Sequence, residues 1–442
     1  MIFRVLILFF ISGAGHLLTI FSLKYVANKA GLSEIANIGE TEVLFQFIIN
    51  VVGFGLQTDA IRRITKSDNW QAEIDSVQKS RITLSILFCM FGFLGILSPL
   101  YWIFLLTPVF GLSCDYALYA RGLAIEGAVF AFLRAAAPMA AISIAAFYES
   151  AWINEIYIVS NFVAFAASNF LISKILDVKW WWQPGIASLS AYIKSFPIGV
   201  INLYFYFSGL GILFIANFLF DESAIGLSFL ALKFYLVFKG ALRIVGQAFV
   251  QNMNDRTVCL NVDRMAIMLG LGLLGSFLIF PDSVISLLFG GQFIGHQTFF
   301  IILGTAALVF SFLFSIPTRV LVFENKEMKL MTFAIASIVC SVLTLVLLAI
   351  NSESPEAILT SILVGELTFA VLLAAKFISF TDLMDRTVFV LVSLPMFLIP
   401  VGIRVWYSDH WIGYGLGFAL LGLGWFFQHS SKLTIDVRNV LS

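Results

Sequence analysis

Charged residues are scarce in this sequence. Asp, Glu, Lys and Arg make up 12% of the 442 residues, whereas a soluble domain carries about 25%. An ordinary soluble protein is therefore not expected. The 26 basic residues are matched by 26 acidic residues, and a chain without a basic excess has little with which to neutralise nucleic-acid phosphates. We therefore expect no nucleic-acid partner.

Cysteines are also few, and common catalytic motifs are absent from the sequence. The sequence has no CxxC or His-paired spacing among its four cysteines, Cys89, Cys114, Cys259 and Cys340. Neither a disulfide framework nor a zinc site is predicted. No Walker A, HExxH, GxSxG or DxD motif occurs. We therefore expect a protein that is not an enzyme and holds no metal or cofactor, with coupling to protons or sodium left open.

Long apolar runs fill the sequence instead. Hydrophobic residues make up 60% of the chain, in runs of about 20 residues that can cross a ~30 Å hydrocarbon core as helices. The pattern predicts an all-α polytopic membrane protein with about 14 transmembrane helices, and about 12 is the alternative, because two divisions between runs are weak. The predicted spans are residues 2–26, 35–60, 82–98, 101–120, 124–147, 152–174, 193–219, 224–250, 264–289, 297–323, 330–350, 357–378, 386–407 and 411–428.

Lysine and arginine residues cluster at alternate ends of the predicted spans. Positive charge close to a helix end is retained in the cytoplasm, and placing the N-terminus inside puts most of the 26 cations at cytoplasmic ends. Both termini are therefore predicted to be cytoplasmic. The tryptophan-rich stretch from Lys179 to Pro184 suggests a division into a helical bundle of residues 1–178, a second bundle of residues 179–380, and an extra helix pair with a tail in residues 381–442.

Once the cations near the ends of the predicted spans are set aside, five remain inside them. A cation at mid-helix costs about 2.5–3.5 kcal/mol on an insertion scale, so each needs a wet cavity, a partner, or a path by which its side chain reaches the headgroups. Arg134 and Lys233 lie near the midplane, and we predict that they line a cavity. For Lys239, Arg243 and Arg319, reaching the headgroups is the alternative. A cavity lined by these cations suits an anionic substrate group.

Three other ionisable residues inside the spans are candidates for ion coupling. Glu366 lies near the middle of its span and is either an ion-pair partner or a proton or cation site. Asp115 lies nearer a cytoplasmic end, where pairing with an arginine is the alternative. His16 is either a hydrogen-bonded core residue or a proton carrier. Glu42 is expected in the first turns of its span, close to the outer water.

Several stretches are arranged as in a known family of transporters. They are Gly39 to Glu42 with Gly55 and Arg62-Arg63 at the second span, Asp115 to Gly122 at the fourth, Lys194 to Pro197 at the start of the second half, and Leu287 to Phe293 with Glu324 to Lys329 around the tenth. In this layout the chain resembles the oligosaccharide flippases of the O-antigen type, in the multidrug/oligosaccharidyl-lipid/polysaccharide exporter superfamily. The resemblance covers nearly the whole chain.

The resemblance implies two six-helix bundles around a central cationic cavity that opens alternately to each side of the membrane. The implied substrate is a polyprenyl-pyrophosphate-linked oligosaccharide, moved across a bacterial inner membrane for the assembly of O-antigen, lipopolysaccharide or another surface polysaccharide. Membrane lipids and polysaccharide assembly proteins are the other implied partners. The family's headgroup-binding cations are matched by Arg134, Lys233, Lys239 and Arg243, and Arg319 is a fifth candidate.

Two other functions remain open at this point. A cation-coupled antiporter for drugs or other small molecules belongs to the same superfamily, but an acidic cavity is expected for it. A membrane scaffold without transport activity leaves the embedded cations unexplained.

Overall fold

The chain folds almost entirely into helices. The computed structural model describes residues 2–406, apart from 97–98, 250–252, 291–292, 325 and 352–353. Within these ranges no β-strand is present, which confirms the prediction of an all-α fold. The last predicted span, residues 411–428, and the tail after it lie outside the described residues.

The first half of the chain, before residue 179, forms one group of packed helices. Helix α1 packs along α7, α7 packs against α8, and α2 contacts both α5 and α8. The helices are α1 (Ile2–Ala30), α2 (Leu32–Gly53), α3 (Leu56–Lys66), α4 (Trp70–Cys89), α5 (Thr107–Gly111), α6 (Asp115–Ala120), α7 (Ala124–Phe147) and α8 (Ile153–Ile175), with 3₁₀ segments at Met90–Ile96 and Pro99–Leu106.

The second half forms another group, in which α13 packs against α15, α15 against α18, α18 against α17, and α17 against α10. Its helices are α9 (Ser190–Lys194), α10 (Phe196–Phe207), α11 (Leu213–Ala216), α12 (Glu222–Phe249), α13 (Arg256–Ile279), α14 (Pro281–Leu288), α15 (Gln297–Phe312), α16 (Ser315–Arg319), α17 (Glu327–Asn351), α18 (Glu356–Phe377) and α19 (Phe380–Trp406). The two halves meet where α1 and α2 contact α12 and where α2 contacts α10.

The structure is that of a multi-pass membrane protein. Ten helical segments among the described residues are long and apolar enough to cross a membrane, and an eleventh is formed if Ile186–Lys194 and Phe196–Phe207, which are bent by 74°, count as one span. Large apolar side chains cover the outside of these segments, among them Phe93 and Leu347, which are 70% and 62% exposed. The count of about 14 spans and the cytoplasmic position of both termini stay predictions.

Residues 61–81, between the predicted spans 35–60 and 82–98, are mostly helical, so the helix bounds here differ from the predicted ones. Helix α3 begins at Leu56 and α4 at Trp70. Leu56, Ala60 and Ile64 recur at intervals of four residues and are all buried, so they anchor a helix whose other face is charged. A hydropathy window averages these two faces and therefore misses such a helix.

Candidate functional site

Helix α12 packs closely against α2 near the N-terminal ends of both helices. A Cβ atom added at Gly226 would lie 2.5 Å from the carbonyl oxygen of Leu32. One turn further along, a Cβ atom at Gly39 would lie 2.9 Å from the ring of Phe229. Since larger side chains do not fit at these two glycines, the two halves are in tight contact at this end, which the charge pattern predicts to be the outer side.

A buried ion pair follows at the next turn. The Lys233 ammonium donates a hydrogen bond to Glu42 Oε1 at 2.6 Å, and the two side chains are 13% and 8% exposed. The Tyr157 hydroxyl donates to the other carboxylate oxygen of Glu42. Glu42 was expected near the outer water, and the structure corrects this, because α12 covers the carboxylate. This ion pair joins the two halves.

A second cation joins the halves at the end of α1. Lys24 Nζ donates to the carbonyl oxygens of Ser286 and Leu287, at 2.9 and 2.7 Å. These carbonyls belong to the last turn of α14, and a cation is favourable at a helix C-terminus. Lys24 therefore adds a third contact between the halves at this end, beside the close packing at Gly226 and the Glu42–Lys233 pair. We call these three contacts the outer closure.

Lys239 is paired inside the second half rather than across the halves. Its ammonium lies 2.6 Å from Glu366 Oε1 and donates to both the carbonyl and the hydroxyl oxygen of Ser208 at 2.8 Å. The hydroxyls of Tyr204 and Tyr235 donate to the same carboxylate at 2.8 and 2.9 Å. An ammonium has three N–H donors, so every donor of Lys239 has a protein acceptor.

Removing the acid from this cluster should destabilise the protein. Glu366→Gln leaves the Lys239 ammonium buried without a counter-charge, and breaking a buried pair in this way costs about 3–5 kcal/mol. We expect the free energy of unfolding, measured by denaturant titration in detergent micelles, to fall by that amount. Glu149→Gln, which neutralises an exposed carboxylate, is the matched control and should change it little. An unchanged free energy for Glu366→Gln would contradict the structural role of the pair.

Arg134 shares no partner with the cations of α12 in the described part of the chain. Its Nε donates to Ser168 Oγ at 2.9 Å, its Nη1 lies 3.6 Å from Asp115 Oδ2, and its guanidinium stacks on the Phe165 ring at 5.0 Å. All of these partners belong to the first half. Ser113 hydrogen-bonds to both Asp115 and Arg134, so the cluster is internally connected. A cavity lined by both Arg134 and Lys233 stays a prediction.

Arg319 also has partners within its own half. Its Nε lies 3.2 Å from Glu324 Oε1, and its Nη2 donates to the carbonyl oxygen of Phe377 at 3.1 Å. The guanidinium therefore links the end of α16 to the end of α18.

Arg243 differs from the other four candidate cations. Among the described residues no acidic side chain pairs with it, and its side chain is exposed. Arg243 follows Lys239 by four residues and Gly240 by three. It therefore lies between the face of α12 that contacts Glu366 of α18 and the face of α12 that meets the first half. Its charge is available to a ligand.

Three further side chains lie on the first-half helices that pack against this part of α12. His16 of α1 lies against α12, because a Cβ atom at Gly240 would lie 3.0 Å from His16 Nε2. Gln46 and Asn50 continue the Glu42 face of α2 toward the C-terminal end of that helix. In the described part of the chain no hydrogen bond or ion pair joins this end of α2 to α12. Since α2 and α12 run in the same direction from Gly226 through the Glu42–Lys233 pair, Gln46 and Asn50 lie within about two helical turns of the level of Arg243. We call the part of the interface between the halves around His16, Gln46, Asn50 and Arg243 the inner cleft.

A local sequence pattern marks part of this site, although an average of hydropathy over a span does not detect it. Glu42, Gln46 and Asn50 are polar residues spaced by four within an apolar span, which places them on one helix face. No such local pattern identifies the acidic partners of Lys233 and Lys239. Glu42 and Lys233 are 191 residues apart in the sequence, and Lys239 and Glu366 are 127 apart.

The fold can now be compared with known proteins. No protein-family profile and no curated protein matches the chain. Among solved structures it is similar to a lipid II flippase, MurJ, in an inward closed conformation, with a TM-score of 0.69, 14% sequence identity and coverage of 99% of this chain and 100% of that one.

Two MATE transporters share the architecture as well. An inward-facing MATE family transporter of the MOP superfamily matches with a TM-score of 0.55 and 14% identity, over 85% of this chain and 95% of that one. A eukaryotic MATE transporter matches with a TM-score of 0.52 and 11% identity, over 87% and 96%. The chain therefore has the fold of the transporters of the multidrug/oligosaccharidyl-lipid/polysaccharide superfamily. At these identities the comparison establishes the fold alone.

Proposed function

We propose that the protein is a flippase that moves a polyprenyl-pyrophosphate-linked oligosaccharide across the membrane. The observation that carries this proposal is Arg243, an exposed arginine on the helix that joins the two halves, with no acidic partner among the described residues. A guanidinium binds pyrophosphate oxygens through several charge-assisted hydrogen bonds. The similarity of the fold to a lipid II flippase supports a lipid-linked substrate.

The contacts between the halves suggest how transport proceeds. At one end the halves are held by Gly226 against Leu32, by the Glu42–Lys233 pair and by Lys24 on α14. At the other end Arg243 is accessible. In the proposed mechanism the headgroup enters from the side of Arg243, and the Glu42–Lys233 pair then breaks to open the opposite side. Breaking the pair frees Lys233, which provides a second cation along the path.

The proposed orientation follows from the positions of the basic residues. With both termini in the cytoplasm, the inner cleft faces the cytoplasm and the outer closure faces the periplasm. Residues 1–178 and 179–380 are the two proposed bundles, and residues 381–442 are the extra element. The proposed setting is a bacterial inner membrane, where the protein supplies O-antigen or lipopolysaccharide assembly together with polysaccharide assembly proteins.

A cation-coupled drug antiporter is the second candidate, because one of the similar folds is that of a multidrug resistance transporter. Such a function needs an accessible acid for an organic cation or a coupling ion. The buried acids Glu42 and Glu366 are each held by a lysine at 2.6 Å. Asp115 pairs with Arg134, and His16 lies against α12, so an ion-coupling role for Glu366, Asp115 or His16 requires these contacts to rearrange.

Binding by the purified protein separates the two candidate functions. The probes are undecaprenyl pyrophosphate, the uncharged lipid undecaprenol, and the organic cation ethidium. We expect saturable binding of undecaprenyl pyrophosphate that weakens with salt and is absent for undecaprenol, because the anion supplies the contact. Saturable binding of ethidium without binding of the pyrophosphate would overturn the flippase proposal in favour of the antiporter.

A further inference from the structure

Two amide side chains form the α2 wall of the inner cleft. Gln46 and Asn50 are both half-buried. In the described part of the chain their hydrogen bonds are local, from Gln46 Nε2 to Glu42 Oε1 at 3.3 Å and from Asn50 Nδ2 to the carbonyl oxygen of Gln46 at 2.7 Å. The amide oxygens of both side chains are therefore free to accept a hydrogen bond from a ligand.

Other amides of the same bundle are used differently. Asn169 of α8 donates to the carbonyl oxygen of Val109 at 2.8 Å, and Asn154 of α8 accepts from Thr41 of α2 at 2.9 Å. These contacts join neighbouring segments, which is the usual structural role of an amide inside a membrane. Gln46 and Asn50 join no neighbouring helix, although they lie on the face of α2 that meets α12 nearer its start. Polar side chains inside a membrane span are rare and often functional.

We infer that Gln46 and Asn50 bind the hydroxyl groups of the glycan while Arg243 binds the pyrophosphate. This inference rests on the proposed function. An amide offers an acceptor and two donors on one planar group, which matches a sugar hydroxyl that donates and accepts. The first sugar is bonded directly to the pyrophosphate, so an anion bound at Arg243 brings that sugar into the same cleft. The α2 wall is then the part of the site that senses the glycan.

The test compares two probes on the full-length purified protein. One is bare undecaprenyl pyrophosphate, and the other is the undecaprenyl-pyrophosphate-linked glycan extracted from cells in which the protein supports glycan display. The double variant Gln46→Met and Asn50→Leu keeps side-chain size and removes both amides. We expect its affinity for the glycan-bearing lipid to fall about tenfold, since each neutral hydrogen bond contributes modestly, with the affinity for the bare lipid unchanged.

Asn351→Leu is the matched control. Asn351 donates to the carbonyl oxygen of Leu347, four residues earlier, at 2.8 Å, and so makes the same local bond as Asn50 but on α17, away from the cleft. Its affinity for both probes should match that of the wild type.

The outcomes distinguish the inference from the proposed function. If the wild type binds neither probe, the proposed function itself fails. If the wild type binds both probes and the double variant loses affinity for neither, or for both equally, the glycan-sensing role is wrong while pyrophosphate binding stands. A loss confined to the glycan-bearing lipid supports the inference.

Discussion

Arg243→Ala is expected to abolish the display of surface glycan in cells that depend on this protein. The variant removes an exposed cation that has no acidic partner in the part of the chain that the structure describes. Hydrogen bonds to a charged group contribute about 1.5–3 kcal/mol, so the affinity for undecaprenyl pyrophosphate should fall by roughly 10- to 100-fold. The measurements are glycan display, the amount of protein in the membrane, and lipid binding by the purified variant.

Two other substitutions show whether the charge of Arg243 is the cause. Arg243→Lys keeps the positive charge but loses the planar, multidentate donor, so partial activity is expected. Arg121→Ala removes another exposed arginine, which stacks on Trp70 at 4.7 Å, and should leave display unchanged. Normal display by Arg243→Ala at normal protein levels would exclude Arg243 as the headgroup ligand.

The Glu42–Lys233 pair should contribute to stability as a unit. Glu42→Gln leaves a buried ammonium unpaired, and Lys233→Met leaves a buried carboxylate unpaired. Each change is expected to lower the free energy of unfolding by about 3–5 kcal/mol. The double variant removes both charges, so it should lose much less than the sum of the two single changes. Denaturant titration of the four proteins in the same detergent measures the coupling.

The same four proteins also test the role of the pair in opening the outer side. Each protein also carries Gln46→Cys, and a cysteine-reactive, membrane-impermeant reagent is added from the periplasmic side. The variants that lack the Glu42–Lys233 pair should be labelled at this cysteine faster than the protein that keeps the pair. Additive losses of stability and unchanged labelling would together show that the pair neither stabilises the contact between the halves nor closes it.

The sequence predicted the helices and the unusual cations because both are local features. Apolar runs of membrane length identify spans, and a cation such as Lys233 or Arg243 is conspicuous because it interrupts such a run. The amphipathic helix α3 was missed because its buried residues, Leu56, Ala60 and Ile64, are diluted by charged neighbours in any hydropathy average.

Pairing of the cations could not be read from the sequence. Each lysine meets its acid only because of how the helices pack, since Lys233 and Glu42, and Lys239 and Glu366, are far apart along the chain. No local pattern encodes that packing. The structure therefore changes which of the predicted cations is the leading ligand. Lys239 has protein acceptors for every donor, while Arg243 has no acidic partner in the described part of the chain.

Translocation in a reconstituted system tests the central claim most directly. The purified protein is placed in lipid vesicles with a fluorescent undecaprenyl-pyrophosphate-linked glycan in both leaflets, and a membrane-impermeant quencher reports the fraction in the outer leaflet over time. The account predicts that wild-type protein makes the inner-leaflet pool accessible to the quencher and that Arg243→Ala protein behaves like protein-free vesicles. Vesicles in which wild-type protein leaves the inner pool protected, or in which Arg243→Ala works at the wild-type rate, would contradict it.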